Sequence, residues 1–454
     1  MNERDNRQMR TGAWYGDEPL MLRFPSEWRV VTHWPSTPEP LAQQQIVTAL
    51  ENPVGQPPVR VLCQGKKRPL IIVDDLNRPT PAAEVLRVIL RQMEEAGISQ
   101  EQVRVLVATG THGAPTRAGV IEKVGADIVA RCRVLVHDCR AKTVAVGRTS
   151  AATPVYVNPE VPNSDFVIGI GGVYPNYTAG FGGGPKLALG VLGRRSILHL
   201  HYAHRSMGGA YDAENSFRRD LLEIADIIGL TTTVSVHVDE ARKIVRLQCG
   251  DHRRYYAEAV EYSRNSYDAP GPGGADVVIS NTYPEDLSLL FARMKGFVPL
   301  RRAKSSASLV AIARCGEGLG THGLFPELER TRTTAVRDFV RRLKVLSFGE
   351  VVGKVATKMK RTSGSPMVSG RPVLHDHRNP IWVYVSGEFP GKIPQVAGIR
   401  ISRSWDEILS AINDEQNGRR DLNVVVYPCS PLQCIGDDQN LHTRNNEAEV
   451  ATAT

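Results

Sequence analysis

The chain has 454 residues, of which 41% are hydrophobic and 23% charged, with a formal net charge of +8; this balance is typical of a globular protein of two or more domains. No apolar run approaches the roughly twenty residues needed to cross a bilayer, and the charged N-terminus lacks the apolar core of a secretion signal, so we expect a cytoplasmic protein. Scattered cysteines, odd in number and without a C-x-x-C pair, argue against a disulfide framework and a zinc ribbon.

The first strongly patterned segment predicts a strand, a polar loop and a helix. The apolar run 70–73 predicts a buried strand, residues 74–78 its C-terminal loop, and residues 81–96 an amphipathic helix capped by Thr80. A second strand is predicted at 103–108. These alternating elements indicate an α/β fold.

Polar side chains follow both predicted strands at the point where each strand ends. Asp75 and Arg78 follow the first strand, and His112 follows the second. Open α/β sheets bind ligands at the carboxyl ends of their strands, so we expect these three residues to share one site.

A glycine-rich segment, 169–204, contains Lys186 and three histidines. Glycine tolerates positive φ and exposes backbone amides, so the loop 180–184 suits an anion, although a glycine-rich surface turn is the alternative interpretation. The segment does not match the phosphate loop of nucleotide hydrolases, because proline precedes Lys186 and leucine follows it. It does not match the dinucleotide-binding fingerprint either, because the third glycine is missing.

The second half of the chain is also predicted to alternate strands and helices. Its patterned segments are the apolar runs 275–281, 308–314, 381–388 and 422–428, a helix over 286–297, and a capping box of Ser404 with Glu407 that opens a further helix.

The glycine- and proline-rich segment 268–274 predicts the main domain boundary. We predict a flexible N-terminus at 1–14, an N-terminal domain over 15–268, a C-terminal α/β domain over 275–444 and a flexible end at 445–454. Basic residues are concentrated between 332 and 361, and they raise nucleic-acid binding as a competing function. An exposed basic helix face is the preferred interpretation, since no nucleic-acid motif accompanies this charge.

Five segments resemble one known family when they are taken together. They are VDDLNRPTP at 73–81, ATGTH at 108–112, GRTSAATPVYVN at 147–158, GFGGGPK at 180–186 and LLFARMKG at 289–296. Their order and spacing resemble the lactate racemase family, enzymes that interconvert 2-hydroxy acids with a nickel-pincer nucleotide, over about Tyr15 to Gly320. The resemblance implies a two-domain fold of that family with the active site in the interdomain cleft.

The resemblance also implies how the cofactor is held. Lys186 matches the lysine that is covalently linked to the cofactor, and His201 matches the nickel ligand, with His199 as the second choice. Imidazole suits nickel as a ligand. The loop residues Asp75, Leu76, Asn77 and Arg78 match the cofactor-contacting segment.

Three further residues match catalytic positions of the family. His112 matches a general base that removes the hydroxyl proton while hydride leaves C2 for the cofactor and a transient 2-keto acid forms. Arg78 matches an arginine that handles the substrate carboxylate, and Lys295 a lysine that faces the substrate from the second domain. Without the other motifs, the preferred interpretation would be that Arg78 is a salt-bridge partner at the helix start and Asp75 a simple turn residue.

Two departures from the family pattern concern the substrate site. Asn176 stands where the family has its second histidine, and an asparagine does not accept a proton at neutral pH. Tyr174, Tyr177 and His204 are left open as replacements. Ala292 stands where the family offers glutamine to the substrate, which favours a different substituent on the ligand.

The sequence therefore predicts a divergent isomerase: a racemase or epimerase of a 2-hydroxy acid that is larger than or different from lactate. Its expected partners are that small-molecule substrate and the enzymes that make the cofactor. The alternatives are a one-sided hydride-transfer enzyme, or a protein without catalysis that binds a small molecule or nucleic acid.

Overall fold

A computed structural model of the protein describes residues 8–204, 211–324 and 379–436. Within these residues the chain forms two six-stranded sheets, each flanked by helices, together with several two-stranded ribbons. The α/β class predicted from the sequence is confirmed. The basic segment 332–361 and the predicted flexible end 445–454 lie outside the described residues.

The first sheet carries the loops that the sequence singles out. Its strands, in spatial order, are Ile244–Asp251, Leu230–Val238, Phe166–Gly172, Pro69–Asp74, Arg104–Ala108 and Arg133–Val136. All neighbours are parallel except the first pair, which is antiparallel. The two central strands that the sequence predicts at 70–73 and 103–108 are both present, and they are buried along their whole length because helices cover both faces.

The second sheet is parallel throughout. Its strands, in spatial order, are Ile399–Ser402, Ile381–Val385, Ser308–Ala313, Val277–Asn281, Asn423–Tyr427 and Arg29–Thr32. The four strands predicted in the second half of the chain are therefore confirmed, and an N-terminal strand completes the sheet at one edge.

Shorter elements connect the two sheets and cover their faces. The two-stranded ribbons pair Met9–Thr11 with Glu18–Leu20, Val144–Arg148 with Pro154–Val157, Pro175–Asn176 with Gly180–Phe181, and Asp268–Ala269 with Cys434–Ile435. The α-helices of the described residues are Gln43–Glu51, Val59–Leu62, Ala82–Glu95, Arg117–Val124, Ala126–Arg131, Arg194–Ala203, Ser216–Ile227, His252–Ser266, Leu289–Phe291, Val298–Arg302 and Trp405–Glu415. Tighter 3₁₀ turns form at Gln100–Gln102 and Gly184–Val191.

The helix predicted at 81–96 is present as Ala82–Glu95, and its apolar stripe packs on the first sheet. Pro81, rather than Thr80, occupies its N-cap position. The hydroxyl of Thr80 instead donates to Asp74 Oδ2 at 2.6 Å, so the predicted cap is replaced by a contact that holds the strand end.

The helix predicted over 286–297 is interrupted. The chain forms one α-turn at Leu289–Phe291, a π-helical turn at Ala292–Gly296 and a separate short helix from Val298. Pro299 lies in the first turn of that last helix, where its missing amide hydrogen is tolerated, whereas it could not continue an uninterrupted helix.

Only half of the predicted capping box forms at Trp405–Glu415. Ser404 Oγ accepts a hydrogen bond from the backbone amide of Glu407, as expected for the N-cap residue. The Glu407 carboxylate accepts instead from the hydroxyl of Ser402, which takes over the contact to the Ser404 amide.

The N-terminal segment corrects the predicted domain limits. Met9–Thr11 forms a strand and Trp14 is buried, so residues 8–14 are structured rather than part of a flexible tail. Asp286, from the second half of the chain, accepts hydrogen bonds from the backbone amides of Gly12 and Ala13. The segment before Thr32 thus belongs to the second sheet, although it precedes the first sheet in the chain.

The cysteines within the described residues are free and buried, as expected for core thiols. In the same part of the chain, no helix is both long enough and apolar enough to cross a membrane.

A buried ion pair holds the carboxyl end of the first sheet's central strand. Lys123 is completely buried; its Nζ lies 2.7 Å from Asp74 Oδ1 and donates to the carbonyls of Asp75 and Arg78. Asp74 Oδ2 also accepts from the amide of Gly172, on the neighbouring strand. Burial lowers the pKa of Lys123 although Asp74 acts in the opposite direction, so the pair depends on intact geometry.

We expect Lys123→Met to lower the free energy of unfolding by about 3–5 kcal/mol, because it leaves Asp74 buried and unpaired. The matched control is Arg87→Met, which removes the exposed Arg87–Asp127 pair and is expected to cost about 1 kcal/mol or less. Urea denaturation of both variants measures the difference. Equal losses in the two variants would show that the buried pair is not an anchor.

Candidate functional site

The loops after the two central strands of the first sheet bring Asp75 and His112 into contact. The strands run parallel, with Asp74 opposite Ala108, so both loops leave the same edge of the sheet. His112 Nδ1 lies 2.6 Å from Asp75 Oδ2, and the amide nitrogen of Asn77 donates to the same oxygen at 2.7 Å. The contact predicted between these two loops is present.

The Asp75–His112 contact determines which imidazole nitrogen is available for chemistry. Burial alone raises the pKa of Asp75, but the charge and hydrogen bond of His112 outweigh it and hold that pKa below the usual carboxyl range. The ionised carboxylate accepts from His112 Nδ1–H, so Nε2 is the ring nitrogen that can exchange a proton with a ligand. Nε2 makes no hydrogen bond to the described residues, so the ring is arranged as a proton acceptor.

Arg78 is joined to a residue that the sequence did not single out. Its Nη1 lies 2.8 Å from Glu285 Oε2 and also donates to the carbonyl of Asn77. Nε and Nη2 make no hydrogen bond to the described residues. Glu285 Oε1 is buried without a partner in that part of the chain. Arg78 is thus a salt-bridge partner that keeps one donor edge available.

Lys186 lies at the start of the turn Gly184–Val191, as the glycine-rich motif predicts. Its Nζ makes no hydrogen bond or ion pair with the described residues. Burial and the charges of Arg78 and Lys295 lower the pKa of Lys186 to about 7. A large fraction of this amine is therefore neutral and nucleophilic at neutral pH.

Lys295 comes from the π-helical turn of the second half of the chain. Its Nζ donates to the carbonyl of Pro175 at 3.1 Å, and burial lowers the pKa of Lys295 to about 8 although Glu285 raises it. Lys295 lines a small cavity together with Asn176 and Tyr177. Two of the predicted catalytic residues therefore lie side by side, although they come from different halves of the chain.

His201 and His199 lie on the same helix but differ in what they contact. His201 Nδ1 donates to the carbonyl of Ile197 at 2.8 Å, which leaves the Nε2 lone pair for a ligand. Burial lowers the pKa of His201 to about 4, and the charge of Lys186 contributes to this shift, so the ring is neutral and close to that amine. His199 is buried against the hydroxyl of Thr153, 3.1 Å from its Nδ1. Of these two histidines, His201 is therefore the one whose pKa is affected by Lys186.

Asn176 has a structural task in its own loop. Its Oδ1 accepts hydrogen bonds from the amide and the hydroxyl of Thr178 and from the amide of Ala179. These contacts close the turn between the short strands Pro175–Asn176 and Gly180–Phe181. The side-chain oxygen of Asn176 is therefore already occupied by hydrogen bonds within its own loop.

The residues left open as replacement bases differ in their contacts. Burial raises the pKa of Tyr174 well above its usual value, and its hydroxyl is buried without a hydrogen-bond partner among the described residues. Burial also raises the pKa of Tyr177, whose hydroxyl accepts from Arg301. Both ring nitrogens of His204 contact oxygens, those of Ser216 and Asp220.

A second imidazole lies next to His112, and the sequence analysis did not identify it. The ring centres of His322 and His112 are 5.0 Å apart, and Phe291 contacts His112 edge to face at 4.8 Å. His322 Nδ1 accepts from the amide of Leu324, which places the ring proton on Nε2. Their position in the sequence could have identified His322 and Glu285 as site residues, because each follows a strand of the second sheet at its carboxyl end.

Two predicted site residues lie in the core. Leu76 is buried beneath Gly119, and only its carbonyl is used, as acceptor for the indole of Trp14. Ala292 is buried in the apolar cluster beneath the second sheet. Neither side chain offers a polar contact to a ligand.

Across the described ranges, no group of three or more His, Cys, Asp or Glu side chains is arranged to hold a metal ion. His201 offers a neutral imidazole with an available Nε2, and Lys186 offers an amine that no described residue binds. Both groups are available to a ligand.

Because the pKa of Lys186 is about 7, we expect its labelling by an acylating reagent to rise with pH to a plateau with its midpoint near that value. Peptide mass spectrometry across a pH series measures the rate, and Lys186→Gln must lose the labelled peptide. A rate that keeps rising above about pH 9, as for an ordinary lysine, would contradict the lowered pKa.

Comparisons with known proteins identify a related domain and related sequences. The lactate racemase N-terminal domain matches residues 15–210. The lactate racemase of Thermoanaerobacterium thermosaccharolyticum is 27% identical over 297 residues, or 63% of this chain and 69% of the relative. That of Lactiplantibacillus plantarum is 25% identical over the same shares.

Solved structures show the same fold. The lactate racemase apoprotein from T. thermosaccharolyticum superposes with a TM-score of 0.66 at 22% identity, covering 95% of this chain and 100% of the other. A protein from Thermotoga maritima superposes with a TM-score of 0.55 at 14% identity, covering 88% and 100%. With the domain match and the two relatives, the chain resembles the lactate racemase family in its N-terminal region and in its fold.

Proposed function

We propose that the protein is a racemase or epimerase of a 2-hydroxy acid and uses a nickel-pincer nucleotide held by Lys186 and His201. The observation that carries the proposal is the Asp75–His112 pair near an unpartnered amine of lowered pKa. The two curated relatives, both named lactate racemase, support the same class of reaction.

The residues present fit this cofactor. A neutral Lys186 amine suits a covalent link, and His201 offers Nε2 because Nδ1 is bonded to its own helix. When bound, the cofactor supplies the acceptor for the hydride that leaves C2. Asp75, Asn77 and Arg78 would border it from the first sheet.

His112 acts as the general base in this proposal. Its Nε2 takes the proton of the substrate hydroxyl as C2 is oxidised, and it returns that proton when the alcohol is re-formed. Asp75 holds the ring by Nδ1 and stabilises the imidazolium that forms, as a buried carboxylate does in other His–Asp pairs. The transient product is a 2-keto acid.

His322 lies beside His112. Because its Nδ1 accepts from the amide of Leu324, the ring proton is on Nε2. Burial and the charge of His112 lower the pKa of His322 well below its usual value, so this ring stays neutral.

Arg78 and Lys295 bind the substrate carboxylate in this proposal. Arg78 has Nε and Nη2 available, and Lys295 lies at the cavity with Asn176 and Tyr177. The active site would then lie between the carboxyl ends of the two sheets, where closure excludes water from the 2-keto acid.

One-sided hydride transfer is the second candidate function. It is favoured by two observations. Asn176 Oδ1 already accepts hydrogen bonds within its own loop, and the ring proton of His322 lies on Nε2. His112 is then the base that this arrangement supplies. Chiral chromatography separates the two functions. A racemase converts either enantiomer to the same mixture, whereas a one-sided enzyme oxidises a single enantiomer, and its 2-keto acid is trapped by a hydrazine reagent.

The first test is cofactor loading. We expect protein coexpressed with the enzymes of cofactor biosynthesis to show a covalent adduct by intact mass spectrometry and bound nickel by metal analysis. Lys186→Ala is expected to lose both. Wild-type protein without adduct and nickel under the same conditions would remove the proposed cofactor.

The second test is kinetic. With loaded protein and a panel of 2-hydroxy acids, His112→Asn is expected to lower kcat by about 10²–10⁴-fold, because it removes the proton acceptor. Asp75→Asn is expected to lower kcat with little change in KM. The control is His33→Asn, which makes the same change beside Tyr427, outside the site. Unchanged kcat in His112→Asn would exclude this residue as the base.

A further inference from the structure

A buried cation beside the glycine-rich loop has no counter-ion among the described residues. Arg218, in the helix Ser216–Ile227, is 4% exposed, and its Nη1 donates to the carbonyl of Phe181 at 3.2 Å. Its guanidinium lies 4.2 Å from the ring centre of Tyr256. Nη2 is buried without a hydrogen bond, and no carboxylate of the described residues pairs with Arg218. Burying a charge in this way is costly unless a partner arrives.

A second unpartnered group lies on the helix that carries Tyr256. His252 is one turn earlier in His252–Ser266, so both side chains project from the same face. His252 is 1% exposed, and neither of its ring nitrogens has a hydrogen bond within the described residues. Burial lowers the pKa of His252, and the charge of Arg218 adds to this effect although Asp251 opposes it. The neutral ring still has one N–H to donate.

The glycine-rich loop packs against the same tyrosine. Gly182 accepts a hydrogen bond from the Tyr256 hydroxyl at 2.6 Å. A Cβ on Gly184 would lie 2.6 Å from the Tyr256 ring, and Gly183 and Gly184 have φ values of +67° and +51°. Their amides donate to no acceptor in the described part of the chain. Successive free amides in such a turn form a concave anion site.

We propose that Arg218, His252 and the backbone amides of Gly183 and Gly184 form a binding site for a phosphate group. All four groups are donors, and a phosphate dianion offers the acceptors and the charge that they lack. The site borders Lys186, whose amine is close enough to feel the charge of Arg218. The phosphate belongs to the nucleotide attached at Lys186, an assignment that rests on the proposed function; free inorganic phosphate is the other source.

The experiment uses cofactor-free protein and inorganic phosphate. Thermal unfolding is followed as phosphate replaces chloride at constant ionic strength, because a ligand that binds the folded state raises Tm by mass action. We expect a saturable rise in wild-type protein and about tenfold or greater loss of phosphate affinity in Arg218→Met and in His252→Leu. The matched control, Arg219→Met, removes an exposed charge from the next position of the same helix and should keep the wild-type response.

Stability without phosphate separates a ligand site from a structural arginine. Since Arg218 is unpaired, Arg218→Met should be at least as stable as wild-type protein in phosphate-free buffer. A lower Tm there, combined with an unchanged response to phosphate, overturns the proposal. The absence of any phosphate response in wild-type protein, or its loss in Arg219→Met, overturns it equally.

Loaded protein identifies the source of the phosphate. If the nucleotide fills the site, inorganic phosphate no longer raises the Tm of protein that carries the Lys186 adduct, whereas a persisting response assigns the site to free phosphate. Failure of loading leaves the phosphate response of the cofactor-free protein intact. Failure of the proposed function and failure of this site therefore give different results.

Discussion

The candidate site depends on one buried ion pair, Lys123 with Asp74. Lys123 Nζ binds the Asp74 carboxylate and the carbonyls of Asp75 and Arg78, so a single ammonium group fixes the course of the loop that carries both residues. Asp74 in turn holds the amide of Gly172 on the neighbouring strand. This cross-link extends the backbone pairing of the two strands to their carboxyl ends. The contact between Asp75 and His112, on which the proposed chemistry relies, is made within that frame.

Charge is distributed unevenly around this frame. Arg78, Lys186 and Lys295 all affect one another electrostatically, whereas Glu285 contacts only Arg78 directly. Burial and mutual repulsion lower the pKa of both lysines. The positive charges of such a site attract a carboxylate or phosphate. The repulsion between the same charges also makes the neutral form of the amine more abundant, which prepares it for covalent attachment. Binding and attachment thus have a common electrostatic cause.

The sequence predicted those strands and helices whose formation depends on the spacing of apolar residues close together in the chain. The central strands and the helix Ala82–Glu95 follow from apolar periodicity, and the meeting of Asp75 with His112 follows from parallel strands. Contacts between the two sheets were not predictable in this way. Glu285 reaches Arg78, and His322 reaches His112, only because loops from separate sheets meet, and no periodicity records that. Asn176 was identified as a lost base, but its role in closing a turn depends on Thr178, a local partner that the family comparison did not consider.

The position of Arg29–Thr32 has a consequence for how the chain folds during synthesis. Among the described residues, this strand pairs with Asn423–Tyr427 alone, which is the last strand of the second sheet in chain order. The first sheet has all its strands between Pro69 and Asp251, so it can form while the second sheet still lacks most of its strands. Until Asn423–Tyr427 has been made, the backbone groups of the N-terminal strand are unpaired, and they can bind chaperones or pair with other strands. The second sheet is therefore completed after Asn423–Tyr427 has been made.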